Sequence, residues 1–315
     1  RGEARGRSGG SGRNARGSGG RRRAEGAVID LGPGALATAA DAAADAEIAP
    51  AKINLALHVI GRRADGYHLL DTLVTHGGSA DRVSVRRLDA VAPAGEPLPI
   101  TLTIVGPAAA GLEADADNLV LRAARLLDVE ARRLGRAIFP VALTLEKHLP
   151  IASGIGGGSS DAAATLRLLD RVWGLDLGRA RLAELSLPLG ADLPMCVWGE
   201  PLRARGIGET IEILPPLPRF RLVLANPGVA VATPAVFRAL TVRDNPPMPE
   251  VPERFADVAA LVDWLAATRN DLEAAAIAVA PAIAETLAEM RSRPGCLLAR
   301  MSGSGATCFG VFEEK

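Results

Sequence analysis

From Lys52 to Val59 the chain alternates in polarity. Ile53, Leu55, Leu57 and Val59 fall on one side, and Lys52, Asn54 and His58 on the other. A period of two predicts a strand whose apolar face meets the core. Gly61 to Gly66 reads as the turn that ends it. Residues 81–88, 100–105 and 141–146 predict further strands. Between the last two, Asp117 stands as an N-cap ahead of a helix carrying Leu119, Val120, Ala123, Leu126 and Leu127 on one face. A glycine-rich loop at 154–158 leads into a helix from about Ser160 to Trp173. A second half begins near Ile211, with a strand at 220–225, helices near 257–268 and 271–291, and a strand pair around the Gly-Ser turn 302–306. Strands mixed with helices, without a regular repeat, predict an α+β fold.

Composition narrows the classes of function. The 315 residues, 48% of them hydrophobic, suffice for one large or two medium domains. Thirty-six basic and 36 acidic residues cancel, so no global field favours nucleic acid or a membrane surface. No apolar run approaches the ~20 residues that span a bilayer. Cys196, Cys296 and Cys308 are scattered and form no C-x-x-C pair. Neither a zinc site nor a disulfide framework is indicated, and a reducing cytoplasm fits. Lysine is nearly absent: only Lys52, Lys147 and Lys315 occur. Residues 1–47 stand apart, first rich in Arg, Gly and Ser, then in Ala with acids. Such a segment buries too little to offset its ordering entropy and is expected to be a disordered tail. An organelle transit peptide and a weakly RNA-binding arginine-glycine tail stand as alternatives for it.

The strongest local signal for chemistry runs from Pro150 to Ser160: Pro150, Ile151, Ala152, Ser153, Gly154, Ile155, Gly156, Gly157, Gly158, Ser159, Ser160. Consecutive glycines leave backbone amides unshielded and allow a positive φ. Such amides can form an anion-binding nest, and the helix that follows adds its own unpaired N–H groups. Phosphate is the ligand this chemistry favours. The loop lacks the G-K-[ST] of a Walker A sequence, and no acidic residue at the end of a second strand completes a dinucleotide fingerprint. The plainer reading is a flexible loop with a capped helix, in which Asp161 complements the helix dipole.

The stretch from Pro150 to Ser160 resembles the second motif of the GHMP kinases. Met301-Ser302-Gly303-Ser304-Gly305-Ala306-Thr307-Cys308-Phe309-Gly310 resembles their third. Further blocks are similar to the diphosphocytidyl-methylerythritol kinases within that family: Ala49-Pro50-Ala51-Lys52-Ile53-Asn54-Leu55, Arg63-Ala64-Asp65-Gly66-Tyr67-His68, Gly190-Ala191-Asp192-Leu193-Pro194, Gly206-Ile207-Gly208-Glu209, Asn226-Pro227-Gly228, Thr233-Pro234 and Asn270-Asp271-Leu272-Glu273. Their order and rough spacing agree over residues 49–312.

The resemblance implies a fold, a reaction and a site. The fold is two-domain α+β. A ribosomal-protein-like N-terminal ATP-binding domain at 48–212 carries a left-handed βαβ crossover, and a ferredoxin-like C-terminal α/β sandwich fills 213–315, with the site between them. The reaction is ATP-dependent phosphorylation of the 2-hydroxyl of 4-diphosphocytidyl-2-C-methyl-D-erythritol, in the methylerythritol phosphate route to isoprenoid precursors. Lys52 and Asp192 match the catalytic pair, with Asp192 as base. The loop from Pro150 to Ser160 holds the ATP phosphates, and Mg²⁺ arrives with ATP near Ser159 and Ser160. Tyr67 and Phe237 sandwich the cytosine, His68 reads its edge, and Asn54 and Thr233 contact substrate. Asp161, Gly303 and Gly305 are supporting residues. The resemblance also implies a bacterial cytoplasmic protein, a monomer or homodimer, with no membrane partner.

Taken alone, Asp192 fits a turn aspartate, Phe237 a core residue, Tyr67 packing and His68 a satisfied histidine. Another GHMP small-molecule kinase and an inactive GHMP-like binding protein are the alternatives. Two departures are visible. Thr75–Ala80 is less apolar than a strand there should be. Family members also continue past the third motif with a helix and strand, so a C-terminal truncation, with an uncovered sheet edge and lowered stability, is expected.

Overall fold

The computed structural model describes residues 27–29, 45–90, 96–151 and 154–314. The alternating segment becomes part of β2 (Ala46–Arg62), which turns back through residues 63–67 into β3 (His68–Arg87). Ile53, Leu55, Leu57 and Val59 are buried, as the pattern requires. Lys52, Asn54 and His58 are buried too. The period does not run unbroken. The β2–β3 register shifts between Pro50 and Lys52, between Asn54 and Ala56, and between Val59 and Gly61. Each shift is a bulge that rotates the following side chains relative to the sheet. Leu55 and Ala56 therefore both enter the same core, and Leu57 lines the same cleft as Lys52 and Asn54. The polar stretch Thr75–Ala80 is strand after all, accommodated by Gly77 (φ 147°) and Gly78 (φ 84°) where Pro50 pairs with Ala80 and Lys52 with His76.

β3 is the spine of a six-stranded sheet. One edge pairs with β2. The other pairs first with β6 (Leu202–Gly206) and farther on with β5 (Val141–Glu146). β7 (Thr210–Ile213) extends the β6 side antiparallel, and β4 (Ile100–Val105) extends the β5 side in parallel. α1 (Leu119–Arg133) connects the parallel pair, giving the expected βαβ unit. Its cap is Asn118, not Asp117: the Asn118 side-chain oxygen accepts from Val120 N at 3.0 Å, while Asp117 N is tied to Asp115. α2 (Gly157–Trp173), α3 (Gly178–Ser186) and α4 (Leu193–Trp198) complete this half. α1 and α2 pack Val120, Ala123, Leu127, Leu166 and Leu169 against Val83, Leu143 and Leu145 of the sheet.

The second sheet is four-stranded, in the order β1 (Ala27–Ile29), β8 (Arg221–Ala225), β10 (Cys308–Phe312), β9 (Cys296–Met301), with every pair antiparallel. β1 lies within the stretch read as a disordered tail, so that reading is corrected at Ala27–Ile29, and again at its end, where Ala46 and Glu47 open β2; residues 1–26 and 30–44 lie outside the described residues. Helices α5 (Thr233–Ala239), α6 (Val258–Ala266), α7 (Glu273–Val279) and α8 (Ala282–Arg291) pack around this half. The single helix read over 271–291 is two, because Pro281 has no N–H to donate and its ring clashes with the preceding turn. Two apolar clusters join the halves: Ile53 and Leu55 of β2 pack with Leu222, Phe309 and Val311, and Leu57 and Val59 with Val236, Leu272 and Ile283. The architecture is the expected two-sheet α+β fold.

Candidate active site

β2 supplies the centre of the site. Its Lys52 Nζ donates to Asp192 Oδ2 at 2.8 Å. The lysine is nearly sealed, 5% exposed, whereas the aspartate is 44% exposed. The pair thus has a buried cation behind and an accessible carboxylate in front. Asp192 is held at the N-cap of α4, where Pro194 in the first turn fixes the helix start.

Three segments close around this pair. The glycine loop is clipped to β2 by Lys52 N donating to Ile155 O at 2.9 Å. Gly156 adopts a left-handed conformation (φ 65°) and turns the chain into α2, which therefore starts at Gly157 and not at Ser160. No side chain caps this helix. Its first amides are left for a ligand, and the helix dipole favours an anion there. A Cβ on Gly154 would lie well inside contact of Gly305 O, so only glycine lets the loop touch the β9–β10 turn. That turn is pinned in place by Asn270 Nδ2, which donates to Met301 O and Gly303 O, both at 2.8 Å. Ser302 ties this turn to β2 and to the glycine loop: its Oγ accepts from Asn54 N at 3.0 Å and donates to Gly154 O at 3.5 Å. Ser304 reaches Thr233 at the start of α5, Oγ to Oγ1 at 2.7 Å.

The result is a cleft of about 350 Å³. Its walls include Lys52, Asn54, Gly154, Gly156, Gly157, Gly158, Ser159, Asp192, Thr233, Phe237, Gly303 and Ser304. Residues read from five separate sequence blocks are thereby brought to one place. A second cavity, between β9 and the start of α7, contains none of these predicted residues.

Several expectations need correction. Within the loop, Pro150 and Ile151 are exposed outside the cleft and Ile155 is core, while Ala152 and Ser153 lie outside the described residues. Ser160 is buried with its Oγ toward Cys196 Sγ at 3.5 Å, which leaves Ser159 as the serine facing the cleft. Asp161 does not reach the cleft either. It is buried against Lys147 Nζ, 2.8 Å from its Oδ2, and Lys147 is also paired with buried Asp81. Burial pushes the Asp161 carboxyl up to about 8; Lys147 opposes this and Asp81 adds to it. Asp81 already accepts from the His148 and Leu149 amides, so the one ammonium leaves Asp161 as the protonated partner. Tyr67 is 59% exposed on the β2–β3 turn and does not line the cleft. The ring stacked on Phe237 is His68, with centroids 4.6 Å apart and planes at 24°. Burial, with Arg62 and Arg243 nearby, lowers the pKa of His68 and so favours its neutral form.

Sequence reasoning gave no role to Lys147, Asp81 or Thr72, and met Ser302 and Asn270 only as members of motif blocks. Lys147 carried one usable signal. In a chain with 36 basic residues and three lysines, both described lysines flank the glycine loop. A Cβ on Gly156 would meet Lys52 Cβ at 3.3 Å, and one on Gly157 would meet Lys147 Nζ at 3.1 Å.

Comparison with known proteins agrees with this geometry. Residues 118–200 match the family model of the GHMP kinases N terminal domain, and residues 249–315 that of the GHMP kinases C terminal. A 4-diphosphocytidyl-2-C-methyl-D-erythritol kinase of Chelativorans sp. (strain BNC1) is 53% identical over 84% of this chain and 86% of its own length. One of Cereibacter sphaeroides (strain ATCC 17025 / ATH 2.4.3) is 53% identical over 85% of this chain and 89% of its own. A crystal structure of 4-(cytidine 5'-diphospho)-2C-methyl-D-erythritol kinase superposes with a TM-score of 0.64 at 36% identity, covering 84% of this chain and 89% of that one. The chain belongs to the GHMP kinase family, in its 4-diphosphocytidyl-2-C-methyl-D-erythritol kinase branch.

Proposed function

We propose that this chain transfers the γ-phosphoryl group of ATP to the 2-hydroxyl of 4-diphosphocytidyl-2-C-methyl-D-erythritol, in the methylerythritol phosphate route to isoprenoid precursors. The observation that carries the reading is the Lys52–Asp192 pair at 2.8 Å, set in a cleft that also holds the uncapped start of α2. Phosphoryl transfer asks mainly for positioning and charge stabilisation, and this arrangement offers both. The Asp192 carboxylate accepts the proton of the attacking hydroxyl. The hydroxyl oxygen forms the new bond to Pγ as the bond from Pγ to the β,γ-bridging oxygen breaks, and ADP leaves. Lys52 holds the Asp192 carboxylate in place and draws the charge that develops on the equatorial oxygens. The amides at the start of α2 hold the phosphates.

Mg²⁺ fits as a companion of ATP. Among the described residues no group of three or more His, Cys, Asp or Glu could hold a metal on its own. Ser159, in the first turn of α2, offers a hydroxyl that lines the cleft and would help to hold it. The ion would supply charge neutralisation at the β- and γ-phosphates.

Phe237 lines the cleft and His68 stacks on it, and the cytosine stacks there, against Phe237 or in place of His68. On this reading the chain divides at 212/213 into an ATP-binding and a C-terminal domain, and it works in the cytoplasm. The test is ATP consumption by Asp192→Asn with the cytidylyl substrate. A fall of roughly 10²–10⁴-fold in kcat supports the base. A fall below tenfold removes Asp192 from that role.

A further inference from the structure

The buried amide of Asn54 is half satisfied, and the unsatisfied half belongs to the site. Asn54 Nδ2 donates to Thr72 Oγ1 at 2.8 Å, across the β2–β3 pair. Thr72 Oγ1 in turn donates to Ala56 O at 2.7 Å. Asn54 Oδ1 is buried and has no hydrogen-bond partner among the described residues. It stands at the floor of the cleft, 3.4 Å from where a Cβ on Gly303 would fall.

This chain of bonds has only one polarity. A backbone carbonyl can only accept, so the single Thr72 proton is committed to Ala56 O. Thr72 Oγ1 can then only accept, and the Asn54 group that faces it must be the NH₂. The carbonyl end of the amide is thereby forced toward the cleft. We infer that Thr72 is a positioning residue that fixes Asn54 as a hydrogen-bond acceptor, and that Asn54 Oδ1 takes the O–H of a substrate hydroxyl beside the reacting one. The inference rests on the proposed kinase reading and specifies what its acceptor must carry: a second hydroxyl, as a donor. A buried acceptor without a partner is costly, and a substrate hydroxyl removes that cost. A substrate lacking the hydroxyl would leave Oδ1 unpaired and be rejected.

The experiment has two arms. In the free protein, the Asn54 side-chain NH₂ protons are followed by hydrogen exchange in NMR. Protection in the wild type, lost in Thr72→Val and restored in Thr72→Ser, is expected. Exchange as fast as a surface amide in the wild type overturns the inference whatever the substrate is. In the kinetic arm, kcat/KM for 4-diphosphocytidyl-2-C-methyl-D-erythritol is measured for Thr72→Val, Asn54→Ala and the double variant. Thr72→Val is expected to lose about 10- to 100-fold, Thr72→Ser to stay within about threefold, and Thr72→Val to lose almost nothing in the Asn54→Ala background. Equal losses in both backgrounds, or a lowered melting temperature with kcat/KM unchanged, would make Thr72 merely structural. A wild-type protein that leaves this substrate untouched while phosphorylating another alcohol contradicts the kinase assignment but not the polarity of Asn54, which the exchange arm decides alone.

Discussion

At the scale of single residues, the site works by burying charge where it must not move and exposing it where it must react. Lys52 and Lys147 are both sealed, yet each has a carboxylate. Lys52 serves the accessible Asp192. Lys147 serves two buried acids and steadies the loop that follows it. Lys147→Met would strip the buried Asp81 and Asp161 carboxyls of their shared ammonium partner, and should cost about 3–5 kcal/mol of stability in a denaturant titration. Asp161→Asn should cost far less, because an amide replaces a carboxyl that is already protonated. The sign of its pH dependence follows. A folded pKa of about 8 lies above the unfolded value near 3.8, so between these limits the folded state binds more protons and stability falls as pH rises. Asp161→Asn should lose that fall. His76 acts in the opposite sense. Buried opposite Lys52, with Nδ1 3.2 Å from Glu200 O, it is held down at about 3 by burial. The folded state then binds fewer protons than the unfolded one from about pH 3 to 6.5, and stability is lost as pH falls through that window. His76→Gln should show a flatter acid limb in a urea titration series. How much of this was legible depends on the residue. Lys52 and Asp192 were reachable through motif resemblance. Asp81 was not, because a lone aspartate in a strand signals nothing until its partner, 66 residues away, is brought beside it.

At the scale of elements, the site depends on two glycine turns that interlock. The loop before α2 and the β9–β10 turn touch backbone to backbone at Gly154 and Gly305, both with positive φ. Gly154→Ala meets two obstacles at once, a left-handed φ of 76° and a Cβ pressed on Gly305 O. It should raise KM for ATP at least tenfold in steady-state assays, with the far-ultraviolet circular dichroism unchanged. Gly158→Ala is the control. Its Cβ would meet only Leu119 Cδ1 at 3.4 Å, an ordinary contact, so it should disturb the backbone less. Element by element, sequence patterns served best where one period holds: Ile100–Val105 and Val141–Glu146 match the predicted bounds, and α2 ends at Trp173 as expected. They failed where local geometry breaks the period. Bulges hid the length of β2 and β3, Pro281 split α7 from α8, and α3, α4, β6 and β7 were too short or too evenly amphipathic to stand out. The start of α2 moved because glycine, rather than a serine side chain, makes its first turn.

At the scale of the whole molecule, two sheets share one strand's worth of core and leave a cleft at their junction. β2 runs through both apolar clusters that join the halves, and the same strand carries Lys52 and Asn54. Packing and chemistry are thus coupled through a single element. At the end of the cleft lined by Phe237, His68 stacks on that ring. No pattern could have told this, since adjacent residues at a turn differ only in which way the backbone points them. The proposed activity of this cleft is phosphorylation of a cytidylyl alcohol. Its most direct test is Mg²⁺-dependent ATP consumption by the purified chain with 4-diphosphocytidyl-2-C-methyl-D-erythritol, homoserine and mevalonate, alongside Asp192→Asn. Turnover with the cytidylyl substrate alone, lost in the variant, is the predicted result; turnover with homoserine or mevalonate instead, or none from a folded protein, would contradict it.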